Sequence, residues 1–184
     1  MKQLVIDASI AHAAGITDFP TSRNCRVFLD TMRETADCGC IFNPDLRAEW
    51  KSHASLYATK WLANMYSRRR VINQPPAKDD GLRKCLVHCA ADIAGQDPVQ
   101  TQAVAAALCK DAHLLESASA SLREGRRIAS LDEKVRGHLR VCAAGHAVIR
   151  GIVWVNPDIE NEQASNWVLA GAPLERRRML GHQS

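Results

Sequence analysis

The segment QLVID, residues 3–7, decides the fold class. Its short apolar run is typical of a β-strand that is buried on both faces, as strands are in parallel sheets. Asp7 follows the run directly, so its carboxylate is expected at the carboxyl end of the strand. In open α/β sheets, ligands bind at this edge.

Working outward from this segment, apolar runs alternate with stretches of helical periodicity. Further strands are predicted at 40–42, at 128–131 with Asp132 directly after it, and at 152–155. Helices are predicted from Thr21 or Ser22 to about Asp37, at 45–53, 54–66 and 80–93, from Pro98 to about Ala120, and at 133–143 and 160–169, with a loop after the helix that ends near Tyr66. This alternation predicts an α/β fold, namely a three-layer α/β/α sandwich with a central parallel sheet.

The composition is that of a globular protein. Its 184 residues fit one domain, and 46% hydrophobic with 24% charged residues excludes a disordered chain and supplies a core without disulfides. The net charge of +4 permits an anionic partner such as nucleic acid, although it does not require one.

The expected location is the cytoplasm, with no membrane partner. No stretch approaches the roughly 20 apolar residues that cross a bilayer, and Asp7 and His12 break the first apolar run, unlike a signal peptide. Seven irregularly spaced cysteines do not form a secreted disulfide pattern. The groups Cys38/Cys40 and Cys85/His88/Cys89 lack the paired C-x₂-C spacing of structural zinc sites, so packing roles are expected.

Acidic residues carry the predicted chemistry. Asp7 and Asp132 each follow a strand, so their carboxylates are expected to be neighbours. Close carboxylates repel each other, and either a shared proton or a shared divalent cation relieves the repulsion. With Glu49 and Asp111 added from predicted helices, four acids favour a cation. Hard oxygen ligands suit Mg²⁺ or Mn²⁺.

Four segments, LVIDASIA, NPDLRAEW, CKDAHLLESA and RIASLDEKVR, resemble the four acidic motifs of PIN domains, in the same order and setting. The resemblance covers most of the chain. It implies a sheet ordered 3-2-1-4-5 and a metal-dependent endoribonuclease, as in toxin components of bacterial toxin/antitoxin pairs. Asp7, Glu49, Asp111 and Asp132 match the catalytic, metal-binding acids.

The resemblance also implies supporting residues and points to departures from the family. Ser9 resembles the hydroxyl residue that steadies the first acid, and Ser130 is expected to act similarly beside Asp132. Relative to small toxin members, the chain has a helical insertion around 54–96 and a C-terminal extension at 156–184. These segments are expected to bind an antitoxin or another protein, to form an oligomer or to shape a groove for the RNA substrate.

Other interpretations remain beside the nuclease. Acids such as Asp7 and Asp132 also serve as helix caps, so a catalytically silent PIN-like module that binds RNA or a protein is the main alternative. A phosphatase of the haloacid dehalogenase type would carry a second Asp where Ser9 stands, and dinucleotide binding would need a Gly-rich turn after the first strand. The basic clusters 68–70 and 176–178 fit either phosphate contacts or a solvated face.

Overall fold

A computed structural model describes residues 1–120 and 125–182. A five-stranded sheet forms its centre. The strands are β1 (Lys2–Ile6), β2 (Cys38–Phe42), β3 (Val71–Asn73), β4 (Arg127–Ala129) and β5 (Val153–Val155). The helices are α1 (Ala8–Ala13), α2 (Pro20–Glu34), α3 (Pro44–His53), α4 (Leu56–Ser67), α5 (Asp80–Ile93), α6 (Pro98–Lys110), α7 (Ala112–Ala120), α8 (Glu133–Ala143), α9 (Ala147–Arg150) and α10 (Ala164–Leu169).

The sheet is entirely parallel, with the strand order β3-β2-β1-β4-β5. Helices α1–α4 and α10 pack among themselves, and α5–α9 form a second group. The predicted three-layer α/β/α sandwich is therefore confirmed, and the strand order is the one that the resemblance implies. Because β1 and β4 are neighbours, the loops after them lie side by side.

The predicted buried strands form the middle of the sheet. All five residues of β2 are buried, as are Leu4, Val5 and Ile6 of β1. Val5 of β1 is paired with Ile128 of β4. Strands that are covered on both faces need continuous apolar runs, which explains why this part of the fold was readable in the sequence.

Several elements differ from the prediction. The short helices α1 and α9 were not predicted, and β2 begins at Cys38, two residues earlier than expected. The segment predicted as a loop after Tyr66 contains β3, an edge strand of only three residues that is partly exposed and therefore lacks a long apolar run. β4 ends at Ala129, two residues earlier than predicted. The long predicted helix is broken at Asp111, and the predicted helix at 160–169 is a 3₁₀ turn at Glu160–Glu162 followed by α10.

The basic clusters are partly used inside the fold. The guanidinium group of Arg70 donates to the backbone carbonyls of Arg33 and Thr35. Arg178 is buried, pairs with Glu175 at 2.8 Å and lies over the ring of Trp167. These two arginines therefore stabilise packing rather than a solvated face.

Segment 156–182 is joined to the rest of the fold by a partly buried acid, Glu162. Its carboxylate pairs with Arg136 of α8, accepts from the backbone N–H of Asn156 at 2.9 Å and lies 3.7 Å from Arg178. Further along the chain, Leu180 N donates to Ile152 O at 2.9 Å. The predicted C-terminal extension thus packs against the end of the sheet.

Within the described residues, the seven cysteines are free thiols, and no helix has the length and apolarity to span a membrane.

Replacing Arg136 with alanine should lower the free energy of unfolding by about 3 kcal/mol, because it leaves the Glu162 carboxylate buried without its closest cation. The Arg136 and Glu162 side chains are only 6% and 14% exposed. Urea unfolding measures the change. Arg177→Ala is the control, because Arg177 is 67% exposed and its pair with Glu175 should contribute less than about 1 kcal/mol. Equal losses in the two variants would contradict the role given to Glu162.

Candidate active site

The four predicted acids line one cavity of about 310 Å³ beside the carboxyl ends of β1 and β4. They come from four separate parts of the chain. The cavity is lined by Asp7, Ala8, Ser9, His12, Glu49, His53, Lys110, Asp111 and Asp132.

Asp7 occupies the cap position of α1, but its side chain does not cap the helix. Its Oδ2 instead accepts hydrogen bonds from the hydroxyl groups of Ser9 at 2.5 Å and Ser130 at 2.6 Å. Two hydroxyl donors on one oxygen fix the orientation of the carboxylate. The interpretation of Asp7 as a simple helix cap therefore fails.

The same two hydroxyl groups link Asp7 to the loop that follows β4. The Oγ of Ser9 accepts from the backbone N–H of Leu131 at 3.2 Å, and the Oγ of Ser130 accepts from that of Asp132 at 3.1 Å. Each serine thus donates to Asp7 and accepts from the loop. The contact expected between Ser9 and Asp7 is present, whereas the hydroxyl of Ser130 orients the carboxylate of Asp7 and not that of Asp132.

Asp132 does not follow its strand directly, which corrects the prediction. Ser130 and Leu131 lie between it and the end of β4, and Asp132 is the N-cap of α8. Its Oδ1 accepts from the backbone N–H of Val135 at 2.8 Å. The cap uses one carboxylate oxygen, and Asp132 still lines the cavity with Asp7.

Asp111 lies at the break between α6 and α7, not within one long helix as predicted. The pKa of Asp111 is raised to about 6, chiefly by burial and then by the nearby carboxylates of Asp7 and Asp132, while Lys110 and His113 act in the opposite direction. The shift therefore reflects loss of hydration first and the neighbouring negative charges second.

The position of Glu49 depends on its neighbour Trp50, which fixes the helix α3. The indole N–H of Trp50 donates to the carbonyl of Ile6 at 2.9 Å, and this contact fixes α3 against the end of β1. The Glu49 carboxylate lies 3.3 Å from Nε2 of His113, close enough for an ion pair. His113 lowers the pKa of Glu49, chiefly through this contact.

His113 is buried in α7 and was not among the predicted site residues. Its Nδ1 lies 2.9 Å from the carbonyl oxygen of Lys110. Burial lowers the pKa of His113, but the Glu49 carboxylate and the Lys110 carbonyl outweigh it, so the net shift is upward. The sequence shows His113 only as a histidine two residues after Asp111, and it gives no sign of the contact with α3.

Asn43 joins α3 to α7 a short distance from this pair. Its side-chain amide donates to Ser117 Oγ at 2.7 Å and to the His113 carbonyl at 3.2 Å, while its Oδ1 caps α3 at Leu46 N. These groups are buried, so the hydrogen bonds are shielded from water. The helix that carries Glu49 is thus fixed to the helix that begins beside Asp111.

The acids share a cavity without forming a ready ligand set. In the described parts of the chain, no three His, Cys, Asp or Glu side chains lie close enough together to hold one metal ion. The donor chemistry nevertheless fits a hard cation, since four carboxylates line one cavity and the charges of Asp7 and Asp132 contribute, after burial, to the raised pKa of Asp111.

A larger cavity of about 610 Å³ lies between α2 and residues 157–166. Its central acid, Asp158, accepts from Thr21 at 2.7 Å and from Asn24 at 3.0 Å, so both carboxylate oxygens hold α2 in place. This cavity lacks a cluster of acids, and we therefore place the candidate site in the smaller one.

Comparison of the chain with protein-family models, curated proteins and solved structures gives no match.

Replacing Asp111 with asparagine should stabilise the metal-free protein at pH 7.5. Because the pKa of Asp111 is about 6 in the folded state against an ordinary 3.8, stability falls as the pH rises from about 4 to about 6 and stays reduced above. We expect a gain of about 1 kcal/mol, discounted for a carboxyl that is only partly buried.

Urea unfolding at pH 7.5 and at pH 4 tests this expectation, since the gain should vanish at pH 4. Asp18→Asn is the control, because Asp18 is exposed in the loop between α1 and α2. A variant that is less stable than the parent at pH 7.5 would show that Asp111 is not under electrostatic stress.

Proposed function

We propose that the protein is a metal-dependent endoribonuclease that uses Mg²⁺ or Mn²⁺. One observation carries the proposal: four carboxylates from four distant chain segments line a single cavity at the carboxyl edge of the sheet. Carboxylates that repel one another destabilise a fold, so a cluster of them favours a functional role. A divalent cation relieves this repulsion.

Each acid has a distinct support for cation binding. Asp7 is oriented by Ser9 and Ser130. The helix cap uses only Oδ1 of the Asp132 carboxylate. Asp111 is near enough to Asp7 and Asp132 for their charges to help raise its pKa, and Glu49 is held beside His113. A divalent ion, when bound, neutralises charge on the phosphoryl oxygens and lowers the pKa of water.

Nucleic acid is the proposed substrate because of a basic group at the same cavity. Lys110 lines it together with the acids, and the chain carries a net charge of +4. A positive group beside a carboxylate site attracts a phosphodiester. The choice of RNA and of an antitoxin or a second copy as partner rests on the resemblance to PIN domains, and the proposed cytoplasmic location rests on the sequence pattern described above.

Replacing Asp7 with asparagine should abolish RNA cleavage, because it removes the charge on the acid that both serines orient. We expect at least a thousandfold loss of the cleavage rate in Mn²⁺, with the stability nearly unchanged, and a 5′-phosphate on the product of the parent. The assay follows a labelled single-stranded RNA. Asp18→Asn is the control, and cleavage by purified D7N at the parental rate would refute the catalytic assignment.

A second candidate, a catalytically silent module that binds RNA or a protein, is favoured by one observation. Within residues 1–120 and 125–182, no three potential ligands are close enough for one ion, and Asp132 and Glu49 already serve as a cap and as a partner of His113. In that case the four acids would serve only as helix caps and hydrogen-bond partners, and not as metal ligands.

Calorimetry with Mn²⁺ separates the two candidates. The nuclease should bind Mn²⁺ with a dissociation constant below the millimolar range. Asp111→Asn should raise this constant at least tenfold, since it removes one charged ligand. Asp18→Asn should bind as the parent does. No heat of binding at millimolar Mn²⁺ would favour the silent module.

A further inference from the structure

A histidine outside the predicted set, His12, lines the same cavity as the four acids. It lies on α1, five residues after Asp7, and its side chain is exposed. Its ring nitrogen Nδ1 is 3.2 Å from the backbone carbonyl oxygen of His53, the last residue of α3. The ring is therefore held by the end of α3, the helix that carries Glu49.

This contact decides which nitrogen of His12 carries the proton. A backbone carbonyl only accepts hydrogen bonds, so Nδ1 must donate. In the neutral ring, Nε2 then has the lone pair. Among the residues that the structure describes, no group is hydrogen-bonded to Nε2, so this nitrogen can accept a proton from a molecule in the cavity.

The acceptor carbonyl is held firmly with respect to α1. Two residues after His53, the backbone N–H of Ser55 donates to Ala11 O at 3.0 Å, and its hydroxyl donates to Ala14 O at 2.7 Å. These hydrogen bonds flank His12 in the sequence. Because α1 and the end of α3 are joined on both sides of the histidine, the ring orientation is set by the fold.

The other basic groups at the site are less suited to accept a proton. The ammonium group of Lys110 has no lone pair, and both ring nitrogens of His113 face oxygen atoms, those of Lys110 and Glu49. No described contact orients the ring of His53. Among the nitrogens near the acids, Nε2 of His12 is both oriented and accessible.

We propose that His12 is a catalytic residue of the hydrolysis proposed above, on which this inference rests, and that its Nε2 accepts the proton of the attacking water. The water oxygen forms a bond to phosphorus as its proton moves to Nε2. The bond from phosphorus to the 3′-oxygen breaks, and that oxygen leaves with the electron pair and takes a proton from solvent. The products are a 5′-phosphate and a 3′-hydroxyl, and His12 releases its proton to solvent.

Single-turnover cleavage of single-stranded RNA in Mn²⁺ tests this role. His12→Ala should lower the rate about a hundredfold or more, the range expected for loss of a general base. His53→Ala is the matched control, because it removes an imidazole from the same cavity and keeps the carbonyl that orients His12. Its rate should stay within about threefold of the parent.

Two further measurements separate proton transfer from other roles of His12. Added imidazole should restore part of the H12A rate, since the cavity is open, and should not speed the parent or H53A. The affinity for Mn²⁺, measured by calorimetry, should be the same in H12A and the parent. A tenfold loss of affinity would make His12 a metal ligand, and an absence of rescue would leave it a structural residue; both results overturn the proposal.

Nitrogen NMR of the protein without metal or RNA gives a readout that does not depend on activity. The shifts of His12 should be those of the Nδ1–H tautomer, whereas the exposed His88 on α5 should show the usual mixture. An Nε2–H ring overturns the inference whatever the kinetics. A parent that cleaves no RNA with either ion overturns the proposed function together with this role, whereas an active parent with an equally active H12A variant overturns the role alone.

Discussion

The site depends on one oxygen atom, Oδ2 of Asp7, which accepts hydrogen bonds from Ser9 and Ser130. Ser9 follows β1 and Ser130 follows β4, so these two hydrogen bonds join the segments that follow two neighbouring strands. Both hydroxyl groups also accept from the loop that leads to Asp132. The carboxylate of Asp7 is thus held by the same atoms that position the second aspartate.

The parallel strand order makes this contact possible. With β1 and β4 side by side, the segments after them meet at the carboxyl edge, as in other open α/β sheets. Glu49 comes from α3, and Asp111 directly precedes α7. Burial, and after it the charges of Asp7 and Asp132, raise the pKa of Asp111, which is an electrostatic cost that packing elsewhere in the fold must offset.

Much of this architecture was predictable from the sequence, and the exceptions share a physical cause. Buried strands such as β1 and β2 have continuous apolar runs, whereas β3 is a short, partly exposed edge strand without one. The four acids were found from their places after strands and from the PIN-like motifs. The contacts of His12 and His113 are with residues 41 and 64 positions away along the chain, which local periodicity does not report.

The hydrogen bonds described above attach the acids to one shared framework. Asp7 and Asp132 are linked through the two serines, and α3, which carries Glu49, is fixed to the end of β1 by Trp50 and to α7 by Asn43. The positions of the carboxylates are therefore not independent of one another. A substitution that loosens one of these contacts would shift more than one carboxylate at once.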